Sequence, residues 1–436
     1  MTILYQRWLA LCNQRSSELA LVDLTQQRQW TFGEIQARLR RIPKVTGLVA
    51  PQGFSVETVF ATLRAWRDGL ILCPLEDQNQ TAPPAAFLQQ LPEGICHLKR
   101  TSGSTGNPRW IMFKPEQLMA DVDQIVGTMG LDPSRPNLGT ISMAHSYGFS
   151  SLVLPLLLHG IPLVWAGGFL PEPVADALQS EFAPFTLPAV PAMWRAWAAA
   201  GILGSGIGLA ISAGAPLGLE LERDIHQRFG LKVHNFYGSS ECGGIAYDAS
   251  DLPRSDGAFV GTALEGVELC PSPEGCLEVR SLAVATGYGS SNAQEIGPRL
   301  QDGVFTTSDL VEFLPGAEGI RILGRLDDLI NVAGRKISPA SLELCLHAFP
   351  FVRCCLVFGV PSPDPARGDD IVACINPGEH EEGPLIDTLR NEISKRFPPF
   401  AMPRHWWICQ ELTPDTRGKL SRAFWRTKYL NHRPPS

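Results

Sequence analysis

The sequence lacks a CxxC pair and any cysteine spacing that repeats a zinc site. Its eleven cysteines are odd in number and scattered, with Cys354 and Cys355 adjacent and Cys270 and Cys276 matching no metal pattern. Reduced thiols in core positions are expected, with neither a disulfide framework nor a structural metal. Positive charge is not in excess. The formal net charge is −7, so no broad attraction to nucleic acid or an anionic membrane is expected, a local basic patch aside. A long unbroken apolar run is also missing. The most hydrophobic stretch, residues 151–166, contains Pro155, His159, Gly160 and Pro162 and reads as a buried helix and strand, not a membrane span. Near the start, Gln6, Arg7, Asn13, Gln14 and Arg15 interrupt any signal-like run, so no export is expected and the cytoplasm is the expected compartment. What is present is ordinary globular composition, 44% hydrophobic and 19% charged, which argues against disorder.

A chain of 436 residues exceeds what one core usually holds, so two or three domains are expected. Short β-like runs alternate with helical patterns: strands near residues 47–50, 70–74, 138–143, 162–165, 185–188, 209–212 and 232–237, with a helix over 56–68. That alternation predicts a largely parallel α/β body. From about Gly257 the texture changes to short pieces separated by Gly, Pro and Ser (267–270, 276–280, 304–306, 311–313 and 320–323), read as a small β subdomain. A last segment from Arg325 carries helices over 338–349 and 384–397, strands near 352–360 and 371–375, and a turn at Pro398 and Pro399. The expected division is an N-terminal body over 1–324 and a smaller α+β domain over 325–436, a normal domain size.

The most informative stretch runs Thr101, Ser102, Gly103, Ser104, Thr105, Gly106, Asn107, Pro108, Arg109. Gly103 and Gly106 let backbone N–H groups approach phosphate oxygens, and Ser102, Ser104 and Thr105 add hydroxyl donors. Composition alone leaves a plain Ser/Gly loop ahead of a phosphate cradle. The stretch is not a Walker loop, which needs Lys followed by Ser or Thr where Asn107, Pro108 and Arg109 stand.

The stretch resembles the phosphate-binding signature of the adenylate-forming superfamily: acyl- and aryl-CoA synthetases, peptide-synthetase adenylation domains and firefly luciferase. The resemblance continues in order. Asn235, Phe236, Tyr237, Gly238, Ser239, Ser240 and Glu241 resemble the adenine and magnesium motif. Thr307, Ser308 and Asp309 resemble the ribose motif, residues 324–337 the hinge motif, and residues 413–422 the segment bearing a catalytic lysine, here Lys419. Five motifs in order leave little room for chance. The resemblance implies that ATP and Mg2+ bind at Thr101, Ser102, Gly103, Ser104, Thr105, Gly106, Gly214, Ala215, Pro216, Asn235, Phe236, Tyr237, Gly238, Ser239, Asp309 and Arg325. Catalysis would fall to Lys419, Arg325, Glu241 and Thr105. Glu241 would be the magnesium ligand, a hard oxygen donor for a hard cation. Tyr237 would stack on adenine, Ser239 would donate to the α-phosphate, and Asp309 would accept from the ribose. Lys419, a compact ammonium on a flexible stem, would reach both the substrate carboxylate and the α-phosphate. Read alone, each has a bland alternative: a surface glutamate, a packed tyrosine, a turn aspartate, a solvated tail lysine. The resemblance also implies a mobile lid pivoting at Asp327, with Gly334 and Lys336 lining a path for the thiol acceptor in a second pose.

The acid pocket is expected from His145, Tyr147, Ser212 and Gly238. No Asp stands where amino-acid-activating relatives pair a substrate ammonium, and burying that ammonium unpaired is costly. A simple carboxylic acid is therefore expected, with Phe149 and the apolar residues 152–158 suiting an aryl or acyl chain. Departures from the family pattern are Arg109 for Lys, Trp110 for Gly, Ser308 for Gly, and an abbreviated first subdomain. No carrier segment is evident, so coenzyme A or a stand-alone acyl carrier protein would take the acyl group. The competing readings are an o-succinylbenzoate-type or other aryl-acid ligase, a degenerate nucleotide-binding member, and an enzyme acylating an amine or oxygen.

Overall fold

Six strands lie parallel in the order Leu19–Asp23, Leu163–Trp165, Asn137–Gly139, Phe185–Ala189, Ile207–Ser212 and Val233–Ser239. Strands covered on both faces read as apolar runs, and every residue of Phe185–Ala189 is buried. The helices between them begin and end by local chemistry. Pro171 and Pro191 open Pro171–Leu178 and Pro191–Ala200, where a missing N–H costs nothing. Gly201 and Gly230 close Pro191–Ala200 and Leu219–Phe229 in the left-handed region, at φ 69° and 66°. The chain is described here by a computed structural model that covers residues 2–76, 80–101, 109–289, 299–349, 351–378, 382–413 and 420–432.

The sheet does not stop at Ser239. It continues antiparallel through Gly243–Tyr247, Phe259–Ala263, Ile320–Arg325, Val304–Phe313, Cys276–Arg280 and Glu268–Pro271. The β-rich stretch after Gly257 is thus one continuous surface with the parallel strands. The two expected pieces at 304–306 and 311–313 are a single ten-residue strand. Residues 47–50 and 70–74 differ from expectation in the other direction. Among the described residues they make only isolated bridges, Val49 to Leu72 and Leu72 to His97, with Gln52 to Leu75 just beyond them. Gly47 at φ 88° and the prolines 51 and 74 break the ladders on either side.

A separate three-stranded sheet joins His97–Thr101, Arg109–Phe113 and Gly287–Gly289, all antiparallel. It holds the two ends of the glycine–serine stretch together, Thr101 opposite Arg109. The C-terminal residues form their own layer pair. Strands Cys354–Pro361, Asp369–Asn376 and His405–Ile408 pack on helices Pro339–His347 and Glu382–Arg396 through Leu342, Leu346, Val357, Ile371 and Leu389. The last helix, Arg422–His432, packs on the other face through Trp425. All eleven cysteines are free, and Cys270 alone is not buried. Among the described residues no helix is long and apolar enough to cross a membrane.

Candidate active site

Several of the candidate residues gather at the carboxyl ends of the parallel strands, where open α/β sheets bind ligands. Ile207–Ser212 ends at Ser212, whose enclosed hydroxyl has no partner among the described residues. The turn that follows carries Gly214 at φ 82°, then Ala215 and Pro216. A positive φ there favours glycine. Beside it, Val233–Ser239 presents Asn235, Phe236, Tyr237, Gly238 and Ser239 with alternating sides. Phe236 faces the core and packs near Tyr147, ring centroids 6.0 Å apart. Asn235 is buried and its amide donates to the Val260 carbonyl at 3.4 Å. Gly238 is exposed, and a Cβ on it would lie 2.6 Å from the Gly243 carbonyl oxygen.

Tyr237 lies across from the ribose motif. Its hydroxyl donates to Asp309 Oδ2 at 2.5 Å, and Arg325 Nε pairs with Asp309 Oδ1 at 3.3 Å. Burial, with the Asp309 charge added, pushes the Tyr237 phenol far above its ordinary range, so it stays a donor. Tyr237, Asp309 and Arg325 therefore meet in one corner. Ser308, beside Asp309, donates to Asp327 Oδ2 at 2.6 Å in the turn Leu326–Asp328. The next residue, Asp328, pairs instead with Arg422 of the C-terminal helix at 2.6 Å, and Arg422 also holds Glu343 at 2.6 Å.

The acid side is built by the segment entering Ser146–Gly148. His145 caps it, its Nδ1 accepting from Tyr147 N at 3.2 Å. Tyr147 donates to the Ile211 carbonyl at 3.2 Å, one residue from Ser212. Burial raises the Tyr147 phenol well above its ordinary range. His145, Tyr147, Ser212 and the Tyr237 strand thus share one wall.

Glu241 sits in the turn between Val233–Ser239 and Gly243–Tyr247. Its backbone N–H donates to Ser239 Oγ at 3.2 Å, and its carbonyl accepts from Ala285 N at 2.9 Å. Tyr288 donates to Oε1 at 3.1 Å. Asp121 steadies the far side of the turn, accepting from Gly244 N at 3.1 Å and Ser150 Oγ at 2.5 Å. Among the described residues no Lys or Arg pairs with Glu241, and no cluster of three or more His, Cys, Asp or Glu could cage a metal. A lone carboxylate with one oxygen committed and one spare fits Mg2+, which usually takes one or two carboxylates and completes its shell with phosphate oxygens and water.

Ser102, Gly103, Ser104, Thr105, Gly106 and Lys419 lie outside the described residues, and Thr101 is placed through its backbone as the last residue of its strand. Gly334 and Lys336 fall in the exposed hairpin between Ile330–Val332 and Arg335–Ile337, with Gly334 at φ 79°. A Cβ on Gly334 would meet nothing within 4 Å, so this turn is open to solvent. Two contributors escaped the reading of the sequence. Asp121 had a signal, an acid on the apolar stripe of Pro115–Met129 formed by Leu118, Val122, Ile125 and Met129. Tyr288 had none, since only the sheet brings it to Glu241.

These residues are those expected to serve a nucleotide and a carboxylic acid. The family model for the AMP-binding enzyme matches residues 55–272, and that for the AMP-binding enzyme C-terminal domain matches 341–419. The chain belongs to the AMP-binding enzyme family and is an AMP-forming acid–thiol ligase. It is 27% identical over 418 residues to a feruloyl-CoA synthase of Amycolatopsis sp, covering 89% of this chain and 82% of that one. It is 26% identical over 434 residues to the anthranilate–CoA ligase of Pseudomonas aeruginosa, covering 95% and 81%. The o-succinylbenzoate CoA synthetase of Bacillus subtilis, solved with an acyl-adenylate, superposes with a TM-score of 0.80 at 19% identity, covering 96% and 97%.

Proposed function

We propose that the chain activates an aryl or other largely apolar carboxylic acid with ATP and passes the acyl group to coenzyme A. A carboxylate oxygen attacks the α-phosphorus, the bond to the bridging oxygen breaks, and pyrophosphate leaves. A thiol sulfur then attacks the acyl carbonyl, the carbon–oxygen bond to AMP breaks, and the thiol proton passes to solvent. Both partners of the first step are anions, so catalysis is positioning plus charge neutralisation. Residues 101–106 would cradle the phosphates, with the Thr105 hydroxyl as one donor. Gly214, Ala215, Pro216, Asn235 and Tyr237 would surround adenine, while Asp309 and Arg325 would share the ribose. Ser239 would donate to the α-phosphate. Glu241 would hold Mg2+, which supplies neutralisation of the phosphate charge. Lys419 would bridge the carboxylate and the α-phosphate.

The observation that carries this reading is the meeting of Tyr237, Asp309 and Arg325 on a strand whose following turn carries Glu241, beside the His145–Tyr147–Ser212 wall. The aryl preference rests on Phe149 and the apolar residues 152–158, all buried, and on the names of the feruloyl and anthranilate relatives. We further propose a division near Gly324, a cap that turns about Asp327 to bring Gly334 and Lys336 into the cleft, and a stand-alone acyl carrier protein as the second choice of acceptor. Eleven free cysteines fit a reducing compartment such as the cytoplasm.

The test is a half-reaction split. Lys419→Ala is expected to abolish acid-dependent ATP–pyrophosphate exchange while sparing thioester formation from supplied acyl-adenylate. Exchange at the wild-type rate would remove Lys419 from the mechanism. A panel of aryl, medium-chain and amino acids, each with coenzyme A or carrier protein, fixes the substrate and acceptor.

A further inference from the structure

We propose that Tyr288 is a positioning residue for Glu241, selecting which carboxylate oxygen faces the metal–nucleotide complex. This rests on the proposed role of Glu241 as the Mg2+ ligand.

Tyr288 is placed with little freedom. It is the middle residue of Gly287–Gly289, which pairs with Arg109–Phe113, Tyr288 opposite Ile111. A side chain at Gly289 would run into the ring of Phe87, so this short strand approaches closely because it is glycine there. The phenol oxygen then lies 3.1 Å from Glu241 Oε1. The same segment also holds the Glu241 backbone, since Ala285 N donates to the Glu241 carbonyl at 2.9 Å. Glu241 is therefore fastened at both ends by residues 285–288. A glutamate side chain without such a bond samples several rotamers, and fixing it at the moment of binding costs conformational entropy. A bond to one oxygen removes that cost in advance and leaves the other oxygen for the cation, as partners behind metal ligands generally do.

The ring has a second contact. The Arg109 guanidinium sits over it, 5.6 Å from the centroid. Arg109 is the first described residue after the glycine–serine stretch and opens the strand that Tyr288 pairs with. One aromatic side chain thus touches both the exit of the phosphate loop and the carboxylate.

Tyr288→Phe separates the two contacts, because it keeps the ring under Arg109 and removes only the hydroxyl. Mn2+ serves as the probe, bound together with a non-hydrolysable α,β-methylene ATP and followed by loss of the free-ion electron paramagnetic resonance signal. Tyr288→Phe is expected to weaken Mn2+ binding in that complex by about 10-fold. Binding of the analogue without metal, and the thermal midpoint, are expected to stay at wild-type values. Wild-type Mn2+ affinity in Tyr288→Phe overturns the inference while leaving Glu241 as the ligand. Equal weakening of metal-free analogue binding also overturns it, since the hydroxyl would then serve the nucleotide. If the wild-type protein takes up no Mn2+ with the analogue, the failure belongs to the Glu241 assignment itself.

Discussion

His97 and Lys99 point to the same side of their strand, and both are enclosed. His97 stacks on Phe149 at 4.5 Å, and Lys99 sits 4.5 Å over the ring of Phe113. Burial, with the Lys99 charge added, holds the His97 imidazole well below its ordinary 6.5. Burial likewise lowers Lys99, opposed by the nearby Asp121, Cys242 and Glu241. For His97 the unfolded chain binds a proton that the folded chain refuses. Stability is therefore intact above pH ~6.5 and falls as the pH drops below it. The urea midpoint is expected to decline between pH 7.5 and 5.5, and His97→Leu to flatten that decline. Parallel curves for the two proteins would show that His97 plays no part. A second enclosed group sits behind the Gly214–Pro216 turn. Glu222 takes Lys232 at 2.5 Å and Arg254 at 2.9 Å, and Arg254 donates to the Leu217 carbonyl at 2.6 Å. Glu222→Gln leaves buried cations short of a partner and is expected to cost about 3–5 kcal/mol. Chemical denaturation measures this, and a loss below about 1 kcal/mol would mean that water replaces the carboxylate.

At the scale of elements, the turn Leu326–Asp328 is gripped from two sides. Asp327 belongs to the body through Ser308, and Asp328 to the C-terminal unit through Arg422. The bond ties Asp327, the proposed pivot, to the body, and we propose that it belongs to the pose used for adenylation. Ser308→Ala should release that pose. Asp327 is exposed, so the bond is worth about 0.5–1.5 kcal/mol. Pyrophosphate exchange is expected to slow roughly 2- to 10-fold, with thioester formation from supplied acyl-adenylate no slower. An equal fall in both half-reactions would argue for general damage to the site. Ser308 was readable as a departure from the family pattern, but its partner was not, because Asp327 is 19 residues away. The helix expected over 56–68 was legible for a local reason: Gly69 closes it in the left-handed region at φ 70°. The strands at 47–50 and 70–74 were overread because an apolar run carries no information about its pairing partner. The same limit hid the continuous strand Val304–Phe313, whose polar middle, Thr307 and Ser308, looked like a break.

For the molecule as a whole, a long sheet carries both halves of the site. Its parallel strands deliver the Ser212 and Tyr237 edge, and its antiparallel extension delivers Asp309 and Arg325. The residues of the proposed C-terminal unit have a core of their own and, among the described residues, meet the body at points such as Arg195 Nη1 to the Arg353 carbonyl at 3.2 Å and Ser338 Oγ to the Leu323 carbonyl at 2.7 Å. A unit with its own core is what the proposed turning of the cap requires. The motifs made the nucleotide side legible, since phosphate and ribose chemistry needs particular residues at close spacing. The acid side is shaped by residues from distant segments, and the sequence shows only that it lacks a charged partner for an ammonium.

The central claim is that the carboxylate attacks the α-phosphorus of ATP. The direct measurement is oxygen transfer from an aryl acid labelled with 18O in its carboxylate, turned over with ATP, Mg2+ and coenzyme A. The account predicts one labelled oxygen in the AMP released and none in pyrophosphate. Label in the pyrophosphate, or AMP free of label while thioester accumulates, would contradict it.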